Sequence, residues 1–503
     1  MNLKKLLREF GIYTDIQEKV TGISVDSRKV KPGYIFVTYK GYHFDGYNFI
    51  DDAIKNGAIC IITDRGFRKK VSEITKYEKI IVDNIYEFST KLAIFYFNYP
   101  ARHLNLIGVT GTNGKTTTTY ILESIYKKAG QKTGIIGTIQ NKIGDEIFQT
   151  QNTTPFPIDL QCTLNEMVKK KVDSVFMEVS SHAISLERIK GCEYKGAIFT
   201  NLTEDHLDFH INMKNYFLAK KKLFDSLQDD TVAVINADDK YYKKMINDIK
   251  PKIEIIKYSV KKKIDIELYA QNIKFDKKNL IMTFDIVFEN KEVLKVQSFL
   301  LGKHNISNIL GAVGLAYFQK IPLGIIKEGI EAIKNVSGRL EFIREGQDFA
   351  CVVDYAHTDD ALNRILKTCK SLKMNRIITV FGCGGNRDRK KRPLMAKKAA
   401  QYSDFVFITN DNPREEEPKN IALDIEIGMK QANYIDYKII LDRELAIKEA
   451  ISMANKNDIV LIAGKGHEDY QIIGNEKIHF SDKEEAIKNI KYIQNEKKEK
   501  ELF

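Results

Sequence analysis

The sequence predicts an α/β protein built as three domains, and three observations predict it. The chain has 503 residues, where a typical domain takes about 150. From residue 104, short apolar runs alternate with polar loops and helix-compatible stretches, the rhythm of a mostly parallel sheet. From residue 335, four further apolar runs each end in a charged or Gly-rich loop, and a parallel sheet gathers such loops at one edge. The expected boundaries are 1–103, 104–334 and 335–503.

The first region has strand-like runs at Tyr34–Val37, Ala58–Ile62 and Ile80–Val82, punctuated by Pro32-Gly33 and Asn56-Gly57. Tyr99-Pro100 marks its end, since proline disfavours helix in the residue before it. In the second region Leu104–Val109 reads as a strand, a Gly-rich loop follows, and Lys115–Lys128 reads as a helix stopped by Gly130. Ser174–Met177, Ala197–Thr200 and Val232–Ile235 read as buried strands joined by helical crossovers. Residues 251–300 alternate in polarity, as in Leu280–Phe284, and predict an antiparallel insertion. In the third region Cys351–Val353, Ile377–Phe381, Phe405–Ile408 and Ile459–Ile462 lead into loops beginning at Asp354, Gly382, Thr409 and Ala463. The charged end, Asn495–Glu501, reads as a frayed helix.

A chain that is 43% hydrophobic buries several cores, which excludes disorder and small disulfide scaffolds. The formal charge of +12 comes mostly from dispersed lysines, with runs such as Lys220-Lys221-Lys222 and Lys261-Lys262-Lys263 that are short, and tryptophan is absent. That favours a solvated surface, or attraction of small anions, over a nucleic-acid groove. Six scattered cysteines without a C-x-x-C pair fit free thiols in a reducing compartment. The first ten residues interrupt apolar positions with charge, unlike a signal peptide, and no run approaches the roughly 20 apolar residues of a membrane span. A cytoplasmic protein with no membrane or nucleic-acid partner is expected.

The strongest local signal is Gly108-Val109-Thr110-Gly111-Thr112-Asn113-Gly114-Lys115-Thr116-Thr117. Glycines let backbone N–H groups close around phosphates, and the helix N-terminus adds positive potential. Lys115 would reach the β- and γ-phosphates and Thr116 would ligate Mg²⁺. The match to the standard phosphate-loop pattern is incomplete, because Val109 stands where its first glycine belongs. Glu178 and the stretch Asn201–His210 follow neighbouring strands, and a strand-end carboxylate suits a hard cation. His206 and His210 are spaced as a zinc pair, but H-E-x-x-H and a third ligand are missing. In the third region Arg387, Arg389 and Arg414, with Asp354, His357, Asp411 and Glu468, describe a site for a zwitterion.

Taken in order, G-T-N-G-K-T-T (111–117), M-E-V-S-S-H (177–182), F-T-N-L-T-E-D-H-L-D-F-H (199–210), Y-F-L-A-K (216–220), G-K-H-N-I-S-N (302–308), G-R-L-E (338–341), D-Y-A-H-T (354–358), G-C-G-G-N-R-D (382–388), D-N-P-R (411–414) and G-K-G-H-E (464–468) resemble the Mur ligase family of ATP-dependent, amide-forming peptidoglycan enzymes. The likeness covers nearly the whole chain. It is greatest to the branch that adds a diamino acid to UDP-N-acetylmuramoyl-L-alanyl-D-glutamate.

The resemblance implies a small UDP-substrate-binding α/β domain, a central phosphate-loop ATPase domain with an antiparallel subsheet, and a Rossmann-like amino-acid domain. It implies a monomer that works on small molecules. It further implies ATP contacts from Gly111, Thr112, Asn113, Gly114, Lys115, Thr116 and Thr117, with Asn305 and Asn308 near adenine. Arg339, Asp354 and His357 would close onto ATP from the third domain. Two Mg²⁺ ions would be held by Thr116, Glu178, His206 and Lys220, the lysine as a carbamate formed with CO₂, and Lys115, His206 and Lys220 would be the catalytic set. Ser27 and His43 would hold the uridine part. Asn152, Thr153, Thr154, Ser180 and Arg188 would hold the sugar-peptide. Arg387, Asp411, Asn412, Arg414, Gly464 and Glu468 would receive the amino acid. Asn386 departs from the Asp usual in the family. Arg414 suits the distal carboxylate of meso-diaminopimelate, while L-lysine and lanthionine stay open. A folylpolyglutamate synthase, a phosphate-loop nucleic-acid motor and a non-catalytic scaffold are the rival readings.

Overall fold

A computed structural model describes residues 1–39, 45–67, 78–150, 152–277, 279–373 and 375–501. His43 lies outside the described residues. Three sheets organise the chain, each with helices against it.

The first sheet is β1 (Gly22–Ser24), β2 (Tyr34–Val37), β3 (Ala58–Asp64) and β4 (Glu78–Val82), parallel and in chain order. The inner strands β2 and β3 are apolar runs because both their faces are covered, while edge strand β4 leaves Ile81 exposed. Ile35, Val37, Cys60 and Ile62 pack on Leu3, Leu6 and Leu92, while Phe36 and Ile61 pack on Ile50 and Ala53.

The second sheet holds β5 (Asn105–Thr110), β6 (Thr133–Ile136), β7 (Asn141–Ile143), β8 (Glu146–Phe148), β9 (Ser174–Glu178), β10 (Gly196–Phe199), β11 (Val232–Asn236), β12 (Glu254–Ser259), β13 (Leu268–Asp276), β14 (Ile281–Phe288) and β15 (Val293–Ser298). Their order is β15-β14-β13-β12-β11-β10-β5-β9-β6-β7-β8. β5 lies between β9 on one side and β10 on the other, so the crossovers change direction there. Ligands bind outside the carboxyl ends of strands at such a switch point. The loops after β5, β9 and β10 are therefore neighbours, although 62 residues separate Thr116 from Glu178.

One expectation needs correction. β12 runs parallel to β11 and β13 parallel to β12, so antiparallel pairing starts only at β13–β14, with Leu268 opposite Phe288. The crossover before β12 carries the helix Tyr242–Ile246, the device of a parallel return. A second antiparallel extension, β6–β7–β8, closes the other edge. Its turn has Gly144 at φ +63°, and Gly144-Asp145 is a hairpin signal absent from the expectations above.

The third sheet is β16 (Glu341–Ile343), β17 (Ala350–Asp354), β18 (Ile377–Phe381), β19 (Phe405–Ile408), β20 (Tyr437–Ile439) and β21 (Ile459–Ala463), in the order β16-β17-β21-β18-β19-β20. β17, β21, β18 and β19 are mutually parallel, so the four expected loops emerge at one edge. A hairpin of β22 (Tyr470–Ile473) and β23 (Glu476–His479) stands beside that edge. Among the described residues no helix is long and apolar enough to cross a membrane.

Candidate active site

The loop after β5 is shaped by two glycines in backbone regions that side chains avoid, Gly111 at φ +151° and Gly114 at φ +91°. A Cβ on Gly111 would stand 1.9 Å from Thr200 Oγ1, and one on Gly114 would stand 2.3 Å from Asn308 Oδ1. The loop after β10 cradles it. Thr112 N–H donates to the Asn201 carbonyl (2.9 Å), Asn113 N–H donates to Asn201 Oδ1 (3.0 Å), and Thr200 Oγ1 donates to the Asn113 carbonyl (2.6 Å). The helix Lys115–Lys128 then starts as expected, aiming its free N–H groups into the cleft.

Lys115 Nζ donates to the carbonyls of Gly111 (3.0 Å) and Thr112 (2.9 Å), and burial holds the amine below its ordinary range. Thr116 Oγ1 donates to Glu178 Oε2 (2.9 Å), which also accepts from Thr138 Oγ1 (3.0 Å), while Thr138 N–H reaches Oε1 (2.8 Å). Glu178 is 1% exposed and these donors are all neutral. A buried carboxylate beside a hydroxyl at a phosphate loop fits Mg²⁺, which takes one or two carboxylates and fills its shell with phosphate oxygens and water.

His206 stands at φ +56° with 42% of its side chain exposed to the cleft, and Asp205 Oδ2 lies 3.4 Å from Nε2. Desolvation outweighs Asp205 and lowers its basicity, so the neutral ring can act as a ligand. His210 is not its partner: it is buried and shares a 2.9 Å hydrogen bond with Ser181 Oγ. Lys220 is 1% exposed, donates to the Gly111 carbonyl (2.9 Å) and lies 4.5 Å from the centre of the Tyr216 ring. Burial, then the neighbouring Lys115, push its amine well below its ordinary range.

Asn305 and Asn308 are buried and bonded to each other (3.1 Å), lining with His304, Ala361 and Arg364 a cleft of about 230 Å³ that continues to Lys115, Glu178 and His206. The third region forms its other wall. Arg339 donates to Thr116 Oγ1 (3.2 Å) and stacks 4.7 Å from the Tyr355 ring. Asp354 accepts from the N–H groups of Leu340 (2.6 Å) and Ala356 (2.8 Å), fixing the turn that presents Arg339. His357 Nδ1 lies 2.8 Å from the Tyr355 carbonyl.

Thr153, Thr154, Ser180 and Arg188 gather beside Glu178. Thr153 Oγ1 lies 3.0 Å from Thr138 Oγ1, Thr154 Oγ1 donates to the Glu178 carbonyl (2.8 Å), Ser180 N–H donates to Thr154 Oγ1 (3.1 Å), and Arg188 donates to the Thr154 carbonyl (3.3 Å). Asn152 precedes them in the chain, its carbonyl accepting from Thr150 Oγ1 (2.7 Å) rather than from the cluster. Ser27 is not among the cleft residues: it sits in a short 3-10 turn of the first region, its carbonyl bonded to Asn56 (2.9 Å).

At the third sheet's edge, Asn412 Nδ2 donates to Glu468 Oε2 (2.9 Å), and Gly464 at φ +121° lets the chain pass Asp411, whose Oδ2 would meet a Cβ at 2.7 Å. Arg414 donates to the Gly385 carbonyl (2.8 Å), and burial, then exposed Arg387, depress its basicity. Arg389 turns away to Asp424 (3.0 Å).

Several contributors were not singled out from sequence. Lys465 is fully buried and reaches Glu468 (3.2 Å) and Asn412 (3.3 Å). Asp360 reaches across to Asn113 Nδ2 (3.1 Å) and Thr203 Oγ1 (3.0 Å). Arg392 and Arg443 are buried behind the loops, paired with Glu416 and Asp424 and with Asp482. Lys465 stood inside the quoted G-K-G-H-E. The partners of the others are remote in sequence.

Comparison with known proteins then decides the family. Residues 19–96 match "Mur ligase family, catalytic domain", residues 109–316 "Mur ligase middle domain" and residues 338–466 "Mur ligase, glutamate ligase domain". The chain belongs to the Mur ligase family. This Mur ligase is 44% identical to the UDP-N-acetylmuramoyl-L-alanyl-D-glutamate--2,6-diaminopimelate ligase of Fusobacterium nucleatum over 96% of each chain. It is 41% identical to the Clostridium botulinum protein of that name over 98% of this chain and 100% of the other. A solved structure of a ligase with that name aligns with TM-score 0.64 and 32% identity, covering 98% of this chain and all of that one. A folylpolyglutamate synthase from Mycobacterium tuberculosis shares the fold at TM-score 0.61, but only 15% identity and 75% of this chain.

Proposed function

We propose that this Mur ligase joins meso-2,6-diaminopimelate to the D-Glu γ-carboxylate of UDP-N-acetylmuramoyl-L-alanyl-D-glutamate, converting ATP to ADP and phosphate. Residues 1–103 take the uridine part, 104–334 take ATP, and 335–503 take the amino acid. The six free cysteines suit a cytoplasmic enzyme. The observation that carries the choice of amino acid is Arg414, set with Arg387 over Gly384 and within electrostatic reach of Glu468 and Asp411. Two cations with two carboxylates complement a ligand that carries a carboxylate at each end as well as ammonium groups. L-Lysine offers no second carboxylate.

A carboxylate and an ammonium do not condense in water, so the carboxylate is first phosphorylated. The free N–H groups of the Lys115–Lys128 helix and the Lys115 amine hold the triphosphate. Thr116, Glu178 and His206 would hold Mg²⁺, which neutralises charge on the transferring phosphoryl group. Lys220 fits a carbamate, since its amine is buried, lowered in basicity and, among the described residues, hydrogen-bonded to a carbonyl and to no carboxylate, and the adduct would turn a cation into an anion facing Lys115. Thr153, Thr154, Ser180 and Arg188 orient the carboxyl donor beside Glu178. Arg414, Asn412 and Glu468 fix the far end of the amino acid, leaving its other amine to attack the acyl phosphate. Amide and phosphate follow from the tetrahedral intermediate.

The test incubates the protein with ATP, Mg²⁺ and the UDP-muramoyl dipeptide, adds meso-diaminopimelate, L-lysine or meso-lanthionine in turn, and measures phosphate. Release with diaminopimelate is expected. Release with none sinks the ligase assignment, and release driven by nucleic acid would point to a motor. Arg414→Ala should raise KM for the diamino diacid at least about tenfold while leaving KM for ATP unchanged.

A further inference from the structure

The loop after β18 and the loop after β19 approach each other at backbone distance. Gly385 N–H donates to the Asn412 carbonyl (2.9 Å), and a Cβ on Gly385 would stand 1.8 Å from the Pro413 carbonyl oxygen. Both arginines converge over Gly384, where a Cβ would meet Arg414 Nη1 at 3.0 Å and Arg387 Cγ at 3.7 Å. Two basic side chains rooted this close together need a scaffold, and the residues around them supply one.

Asn386, immediately before Arg387, sits at φ +52°, a region that asparagine tolerates better than most side chains. Its N–H donates to Glu416 Oε1 (2.5 Å) and its Nδ2 donates to Glu415 Oε2 (3.0 Å). Glu416 is in turn held by Arg392, whose fully buried guanidinium pairs with it (2.9 Å), pairs with Asp424 (2.9 Å) and donates to the Gly384 carbonyl (3.2 Å). On the other loop Arg414 is itself at φ +54°, with its N–H bonded to the Ile472 carbonyl (3.0 Å) and its carbonyl bonded to Gly474 N–H (2.7 Å).

We propose that Asn386, Glu415, Glu416 and Arg392 form a clasp that positions Arg387 beside Arg414 as a two-guanidinium receptor for the second carboxylate of the amino-acid substrate. In this chain an amide at 386 suits Glu415, which faces it. An aspartate there would set one carboxylate against another across a 3.0 Å contact and loosen the turn that aims Arg387. This rests on the third region being the amino-acid site, and it adds positioning residues that touch no substrate.

The experiment compares the wild-type chain with N386D, N386D/E415Q and R392K. It measures KM for meso-diaminopimelate and for ATP, calorimetric binding of diaminopimelate, and the thermal midpoint. N386D should weaken diaminopimelate about fivefold in both KM and binding, the scale of one exposed charge contact, with KM for ATP and the midpoint unchanged. E415Q in the same chain supplies a donor amide to the carboxylate introduced at position 386 and should restore wild-type binding within about twofold. R392K should weaken the diacid more than N386D does, because one ammonium cannot hold Glu416, Asp424 and Gly384 together. Unchanged diaminopimelate binding in N386D, no rescue by E415Q, or an equal rise in KM for ATP would overturn the clasp. Wild-type protein that binds diaminopimelate without turning it over would count against the ligase reading and leave the ratio between variants to decide the clasp. Wild-type protein that binds none of it would overturn both.

Discussion

Lys115 and Lys220 both donate to the Gly111 carbonyl, at 3.0 and 2.9 Å, so their nitrogens stand no more than about 6 Å apart. Two ammonium charges at that distance, with an effective dielectric of about 20, repel by roughly 3 kcal/mol. Lys220 is 1% exposed, so solvent screens little of this. Its amine is lowered in the folded chain, first by burial and then by Lys115. The unfolded chain therefore binds a proton that the folded one resists. Stability rises with pH from the folded value of this amine up to its ordinary value near 10.4, and falls as pH drops through that window. Lys220→Met keeps the length of the side chain and removes the charge. In CO₂-free buffer the variant should unfold at a higher temperature than wild type at pH 7, with the gap narrowing toward pH 10. Bicarbonate should stabilise wild type and leave the variant unmoved, because only the amine can become an anion that attracts Lys115. Phosphate release should meanwhile fall at least about a hundredfold, the scale of losing one charged group from a phosphoryl-transfer site. Scanning calorimetry at pH 7 and 9.5, with and without bicarbonate, reads the first three effects. A variant that is less stable than wild type at pH 7, or that responds equally to bicarbonate, would refute the charge argument. A variant with full turnover would remove the carbamate.

Gly114→Ala forces a side chain into φ +91° with its Cβ 2.3 Å from Asn308 Oδ1, so nucleotide titration should show ATP affinity reduced at least about tenfold, and unchanged affinity would mean the loop is not the phosphate site. Asp360→Ala removes the bonds to Asn113 and Thr203 that tie the third region to the phosphate loop, so kcat should fall about tenfold with a larger radius in X-ray scattering, and a kcat loss without expansion would deny it a closing role. Because desolvation keeps the His206 imidazole below its ordinary range, the ring is already neutral at pH 6, and kcat should show no acid limb near 6.5. An acid limb there that disappears in His206→Gln would contradict this.

What the sequence revealed follows from how local each signal is. The inner strands β2, β3, β17, β18, β19 and β21 were legible because they are apolar runs bounded by turn residues, while the short strands β1, β16 and β20 and the hairpin β22–β23 were not, being brief and mixed in polarity. The phosphate loop was legible because its glycines, its lysine and its helix start are consecutive. The direction of β12 was not, since alternating polarity in 251–300 says half-buried strand but says nothing about which way its neighbour runs. Glu178 was legible only as a strand-end acid, and its hold on Thr116 depends on β5 and β9 pairing. Arg392, Arg443 and Asp360 were invisible because a charged residue in a helix normally faces water. Only packing shows that Arg392 and Arg443 are buried and that Asp360 faces another region.

The contacts also say why the chemistry can be divided between regions without losing precision. Glu468, at the amino-acid end, accepts from the Tyr355 hydroxyl (3.4 Å), the Tyr355 ring carries the Arg339 guanidinium at 4.7 Å, and Arg339 donates to Thr116 (3.2 Å), which donates to Glu178 (2.9 Å). That line runs from the proposed amine pocket to Glu178, the proposed cation ligand, through side chains held by further partners. Asp354 anchors the turn at Leu340, and Thr138 anchors Glu178. A hinge alone would bring the two substrates near each other with the tolerance of a swinging domain, and an ångström of misplacement is expensive in an attack on an acyl phosphate. Arg339 narrows that tolerance, because its guanidinium reaches Thr116 while it lies against Tyr355. The same contact sets a positive charge beside the phosphate loop.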